Sequence, residues 1–388
     1  MKLYHNIVLF GSALLFAFLN PTDRTQLKQP EAIVNPTATI TISSAGDLMC
    51  HSPQYEYARV DADSFDFTPT FSEVKKYFES SDFVLGNLET VTAGKEKRYS
   101  GFPFFNSPDD YIRSLKKVGF DFLFTSNNHC LDRGENGILR TLENLNKNNI
   151  AHTGTFNSQK DRDSIRIISL KGIRFAVVSY TYGMNGNYLP KNKAYLVNRI
   201  SDSLIVRDIQ KAKSDSVDFI LVYFHFGEEY QREPNRYQKA IVQAAIDAGA
   251  DIILASHPHV LQPFSFFQKD SINKINSKLD SGFVAYSLGN FFSNQQWRYS
   301  DAGVILQFQI TKNLTTNALH LEKVCYTPTW VFKGKIEGKR EYRILPYTKS
   351  TDKYPYLSQK DFQKMSQSFE DSKLIIQKYS SSIQLKEN

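Results

Sequence analysis

From residue 39 onward, short apolar runs alternate with longer stretches of helical period, and one run after another ends in Asp, Glu, Asn or His. The runs 39–43, 83–85, 120–124, 174–179, 219–224, 252–254 and 283–287 read as strands. Between them, 108–118, 136–148, 201–213 and 236–248 carry helical spacing. Pro108-Asp109-Asp110 and Ser201-Asp202 are suited to helix starts, and Gly119 and Gly249 to left-handed helix ends. Strands alternating with helices predict a layered α/β fold rather than an all-β sandwich or a helical bundle. The tail, with apolar runs at 304–308, 329–332 and 340–345 and a polar helix from Gln359, reads as an extension of the same domain.

The strand ends are chemically loaded. In chain order they carry Gly46-Asp47-Leu48-Met49-Cys50-His51, Gly86-Asn87-Leu88-Glu89 and Ser126-Asn127-Asn128-His129-Cys130-Leu131-Asp132. Then come His225-Phe226-Gly227-Glu228-Glu229-Tyr230, Ser256-His257-Pro258-His259 and Ser287-Leu288-Gly289-Asn290. Five of the 8 histidines lie in these segments. A single His at a strand end is ordinarily a hydrogen-bonded structural residue. Six strand ends of one polarity, all bearing ligand-type side chains, are better explained by a site beyond the carboxyl edge of a sheet. Asp, Glu, Asn and His together suit hard or borderline divalent cations. There are enough of them for two ions, about 3.5–4 Å apart. Pro258 stiffens the backbone between two imidazoles so that they can diverge, one toward each ion.

Composition narrows the partners. The 388 residues are 41% hydrophobic and 22% charged, with 21 Tyr and 29 Phe, enough to bury a sizeable core. The net charge of +7 is a mild bias toward anions. With no dense Lys/Arg stripe and no nucleic-acid-binding motif, it excludes nucleic acid as the expected partner. Three cysteines, Cys50, Cys130 and Cys325, are too few and odd in number for a disulfide framework, and read as packing residues. The apolar run Ile7–Leu19 is the length of a signal-peptide core and short of a bilayer span. Residues 1–20 are therefore read as a signal peptide or N-terminal anchor and 21–38 as a linker. The main domain is 39–310, with 311–388 packed on it, and an exported, periplasmic or envelope-associated protein is expected.

Taken in order, Gly46-Asp47-Leu48-Met49, Gly86-Asn87-Leu88-Glu89, Asn127-Asn128-His129 with Asp132, His225-Phe226-Gly227-Glu228-Glu229-Tyr230, His257-Pro258-His259-Val260-Leu261-Gln262 and Ser287-Leu288-Gly289-Asn290-Phe291 resemble the CapA-type capsule, or poly-γ-glutamate synthesis, proteins. That family is similar in turn to the calcineurin-like metallophosphoesterases. The resemblance covers roughly residues 40 to 310. It implies a four-layer α/β/β/α fold and two divalent metal ions, whether Mn, Fe, Zn or Mg. It also implies that Asp47 and His259 serve the first ion, Glu89 bridges, and Asn128, His225 and His257 serve the second. His129 would contact substrate oxygen and donate a proton, oriented by Asp132. Where the phosphoesterase pattern has a second His in its first motif, this chain has Met49, and His51 is the candidate replacement. Asn127 also stands where phosphoesterases commonly carry Gly.

Three functions are compatible with these residues. One is a metal-dependent hydrolase or transferase in surface-polymer assembly, with an anionic polymer or its precursor and membrane-bound capsule synthesis proteins as partners. The others are a general phosphoesterase and a non-catalytic polymer-binding scaffold. Arg133, Arg232 and Arg298 are candidate contacts for anionic substrate groups, and Asn290 a further substrate-binding candidate.

Overall fold

The computed structural model describes residues 36–268 and 278–386. The proposed leader and all but the end of the linker lie outside the described residues. Fifteen strands form two sheets. The first strands of sheet one are β1 (Thr37–Leu48), β2 (Phe83–Leu88), β3 (Phe122–Phe124) and β4 (Ala151–Thr153). Sheet two holds β5 (Arg166–Leu170), β6 (Ile173–Thr181), β7 (Phe219–His225), β8 (Ile252–Ser256), β9 (Phe264–Phe267) and β10 (Gly282–Ala285). The chain then returns to sheet one through β11 (Asn290–Phe292), β12 (Ala302–Asn313), β13 (Leu319–Ile336), β14 (Lys339–Pro346) and β15 (Gln384–Leu385). Sheet one runs β14-β13-β12-β1-β2-β3-β4, with β11 beside β1 and β15 beside β13; sheet two runs β5-β6-β7-β8-β10-β9.

Eight helices complete the described chain: α1 (Ser52–Tyr57), α2 (Lys75–Glu79), α3 (Asp109–Val118), α4 (Gly134–Lys147), α5 (Gln159–Arg162), α6 (Asp202–Ser214), α7 (Arg236–Ala248) and α8 (Gln359–Ile376). Gly119 and Gly249 follow α3 and α7 with φ of 122° and 113°, where a side chain would be strained.

The layers follow from the two-residue period of the strands. In β7, Phe219, Leu221 and Tyr223 point between the sheets, while Ile220, Val222 and Phe224 pack with Ile205, Ile209, Ile241 and Val242 of α6 and α7. Across the middle layer, Phe124 of sheet one stacks on Tyr223 of sheet two at 4.0 Å between ring centres and 10° between planes. On the far side, Val84 and Leu123 of sheet one meet Ile112, Leu115, Ile138 and Leu142 of α3 and α4. Helices, sheet, sheet and helices therefore stack in four layers, and the α/β/β/α architecture is that implied by the sequence. The stretch read as linker ends earlier than 38, because Thr37 and Ala38 already pair with Asn313 and Lys312. Antiparallel pairing of β12 to β1, then β13 and β14, makes the tail part of sheet one.

Strands β1 to β4, and β6, β7, β8 and β10, are parallel within their sheets. Their carboxyl ends come together along one edge, and the ligand-type side chains of the strand ends gather there.

Candidate metal centre

Asp47 is the penultimate residue of β1 and is fully buried. Its placement requires glycine before it. The Asp47 N–H donates to the Gly289 carbonyl at 2.9 Å, and a Cβ on Gly46 would sit 2.0 Å from that same oxygen. Two residues apart on one pleat, Asn87 and Glu89 turn to the same side of β2 and its end. Asn87 Nδ2 donates to Asp47 Oδ1 at 2.8 Å and approaches His225 Nδ1 at 3.3 Å.

Sheet two supplies the imidazoles. His225 ends β7, with Nε2 2.7 Å from Asn128 Oδ1 and 3.5 Å from Glu89 Oε1. His259 Nδ1 donates toward Asp47 Oδ2 and Asn290 Oδ1, both at 3.1 Å, which leaves Nε2 facing Glu89 Oε1 at 3.7 Å. Asn290 is thus a support for His259: its Nδ2 is spent on Gln295 Oε1 and the Ser300 carbonyl, each at 2.8 Å. His257 and His259 flank Pro258 with φ of 108° and 55°. These conformations are costly for residues other than glycine and persist where surrounding structure imposes them. Here the Tyr230 N–H holds the Pro258 carbonyl at 2.7 Å.

Three groups of donors result, each with its ligand atoms within 4.8 Å of one another: Asp47, Glu89 and His259; Glu89, His225 and His257; and Glu229, His257 and His259. Glu89 belongs to two of them. The donor set fits divalent cations, and two buried atoms bear this out: Glu89 Oε1 and His257 Nδ1 have no hydrogen-bond partner. The charges are arranged to the same end. Burial, then the Asp47 charge, pushes the Glu89 carboxyl well above the usual carboxylate range. For Asp47, burial is outweighed by His259 and Asn87, and the carboxyl stays below that range. Burial lowers His225 to about 3 and holds His257 well below the ordinary imidazole value, so both rings are neutral. Neutral imidazoles facing buried carboxyls form a donor set suited to a divalent cation.

Beside this cluster, His129 Nδ1 donates to Asp132 Oδ2 at 2.8 Å, and the same oxygen accepts the Phe105 N–H at 2.7 Å. His129 Nε2 faces Asn185 Nδ2 at 3.4 Å.

Several expected residues do other work. His51 is outside all three donor groups, and its Nδ1 lies 3.1 Å from Gln54 Oε1. Arg133 is not aimed at the cluster, because its guanidinium is bound by the Phe104 carbonyl at 3.1 Å and by Ser100 Oγ. Arg232 reaches the Asp371 carbonyl and lies over the Tyr299 ring, and Arg298 pairs with the Asp371 carboxylate at 2.8 and 2.9 Å. Cys50, Cys130 and Cys325 are free and buried. Asn87, Asn185 and Glu229 were not singled out from the sequence. The first had a signal, since it shares a pleat face with Glu89. Asn185 had none: it lies in a polar turn 57 positions from the Asn128 it bonds.

Residues 41–295 match the model of the bacterial capsule synthesis protein family PGA_cap. The chain is 27% identical over 333 residues to the capsule biosynthesis protein CapA of Bacillus anthracis, covering 83% of this chain and 76% of that one. It is also 27% identical over 305 residues to the PGA biosynthesis protein CapA of Bacillus subtilis, covering 78% and 75%. Among solved structures it is similar to a phosphatase from Mycoplasma pneumoniae, at 12% identity and a TM-score of 0.45, covering 76% of this chain and 94% of that one. With two thirds of its length matched in one continuous span that holds the whole donor cluster, the chain belongs to the PGA_cap family of bacterial capsule synthesis proteins.

Proposed function

We propose that the protein is a metal-dependent hydrolase or transferase acting on a capsule polymer or its precursor. The observation that carries this reading is the sharing of Glu89 between two donor groups drawn from both sheets. Asp47, Glu89 and His259 would hold one divalent ion; Glu89, His225 and His257, with Asn128, would hold a second. Bound there, such ions supply Lewis acidity toward a phosphoryl or carbonyl oxygen.

The chain's own residues supply the rest. Asp132 holds the His129 ring by Nδ1, so Nε2 is the end that exchanges a proton with substrate, and the carboxylate stabilises the imidazolium. Asn87, 3.3 Å from His225 Nδ1, orients that ring and leaves Nε2 on the side of Asn128 and Glu89. Burial of the cluster excludes bulk water and strengthens each of these interactions. On this reading the partners are the surface polymer or its precursor and membrane-bound capsule synthesis proteins. The apolar run Ile7–Leu19 supports an exported protein of the cell envelope. No helix among the described residues is long and apolar enough to cross a membrane.

The test is metal content. Full-length chain purified without chelator should carry close to two divalent ions, falling in Asp47→Ala and His257→Ala. A chain that stays metal-free after supplementation with manganese, iron(II), zinc or magnesium removes the hydrolase reading and leaves a polymer-binding scaffold.

A further inference from the structure

On the side of His257 and His259 the donor cluster is flanked by aromatic side chains open to solvent. Tyr182, directly after β6, packs its ring 4.6 Å from that of His257. Tyr230 faces His259 at 6.3 Å, and Trp297 packs edge-on against Tyr230 at 5.3 Å. Phe105, itself buried, packs edge-on against His129 at 4.6 Å. Tyr182, Tyr230 and Trp297 are between 36% and 51% exposed. Surface aromatics of this size are ordinarily covered, and a group of them beside buried polar donors marks a binding surface.

Polar groups sit among the rings. The Asn185 amide is 3.4 Å from His129 Nε2, the Gln295 amide 3.2 Å from the Tyr230 hydroxyl, and the Glu229 carboxylate is exposed. A Glu229 carboxylate oxygen lies within 4.8 Å of ring nitrogens of His257 and His259, the two rings that Tyr182 and Tyr230 face. The interruption by amides and a carboxylate breaks up any continuous apolar patch of the kind that would meet a lipid surface.

Resting on the reading of the donor cluster as the active site, we propose that its rim binds the sugar rings of a glycan chain, stacked on these aromatic faces, and not a polyglutamate strand. A pyranose offers one face of weakly positive C–H groups, which matches the negative face of an aromatic ring. Its hydroxyl edge matches side-chain amides and a carboxylate. A strand of γ-linked glutamate offers neither, and carries a carboxylate on every residue. Of the arginines that would answer those charges, Arg232 and Arg298 are engaged by Asp371 and Arg133 by the Phe104 carbonyl.

The experiment is calorimetric titration of the full chain with chitotetraose, cellotetraose and maltotetraose, and separately with tetra-γ-glutamate. At least one neutral tetrasaccharide should bind, and its affinity should fall roughly tenfold in Trp297→Ala and in Tyr182→Ala. Metal content equal to the parent shows that the variants fold, and Trp297→Leu serves if the alanine form does not. The proposal is overturned if tetra-γ-glutamate binds and no tetrasaccharide does, if nothing in the panel binds, or if sugar affinity is the same in both ring variants. Metal content of the parent reports separately: sugar binding by a metal-free chain would remove the hydrolase reading and keep the aromatic rim as a glycan site.

Discussion

His257 and His259 show how much of the site is decided one side chain at a time. Their φ values are those glycine would favour, yet both positions carry an imidazole, and the strained turn is held where the Tyr230 N–H meets the Pro258 carbonyl. Asp47, Glu89, His225, His257 and His259, which the structure brings together, were legible because each lies at or within a few residues of a strand end and each is a ligand type. The misassigned arginines were not, because a sequence shows a positive charge without showing its partner. At this scale His129 is the informative residue, since its Nδ1 is committed to Asp132 and it stands outside the three donor groups. His129→Ala should keep the bound metal and lower turnover of an aryl ester about 10²- to 10⁴-fold, the usual share of a positioned proton donor. Metal analysis beside initial rates checks it; loss of metal would make His129 a ligand instead.

Among elements, the entry of the parallel strands repeats one device. Asp82, Asp121, Asp218 and Asp251 each precede a strand. Each donates its backbone N–H to the carbonyl of a residue on the neighbouring strand and accepts that residue's N–H on its carboxylate. The partners are Thr41, Val84, Arg174 and Ile220 in turn. An aspartate so placed imitates one more rung of the ladder and pins the register on which the opposite, ligand-bearing ends depend. Asp218 also pairs with Lys278 at 2.8 Å and Lys312 at 2.9 Å. Asp218→Ala should cost about 1–3 kcal/mol, as expected when buried donors lose a charged acceptor. Asp218→Asn, which can still accept the Arg174 N–H, should cost less. Urea unfolding with an unchanged m-value measures both; equal stability of all three chains would show that the device is idle. Most strands were readable from β-branched and aromatic runs, whereas β4, β5, β9, β11 and β15 were not. Those five hold two to five residues each, too few to carry a clear period, and such strands exist through their neighbours.

Over the whole molecule, acid should loosen the fold from two directions. His152 is buried, and burial with the nearby Arg166 lowers its imidazole to about 4. In the unfolded chain the same ring titrates near 6.5, so between those values only the unfolded state takes up the proton and stability falls with pH. At lower pH, Asp82 and Asp218 act alike: burial raises both, their lysine and backbone partners more than offset it, and the net lowering makes their contribution disappear on protonation. Denaturant midpoints should therefore drop between pH 7 and pH 5, and drop less in His152→Gln. A parallel decline in that variant would assign the effect to other groups. By itself the sequence determined the layered α/β class, the order of the strand-end side chains and the chemistry they can do, because period and residue type are local properties of a chain. Only the tertiary structure decided that Asp47 meets His259 across 212 positions, that Glu89 serves two donor groups, and that the tail completes sheet one. It also decided that Arg232 and Arg298 both meet Asp371. Those outcomes depend on how two sheets and their helices pack, and the energy of that packing is shared among residues far apart in the chain.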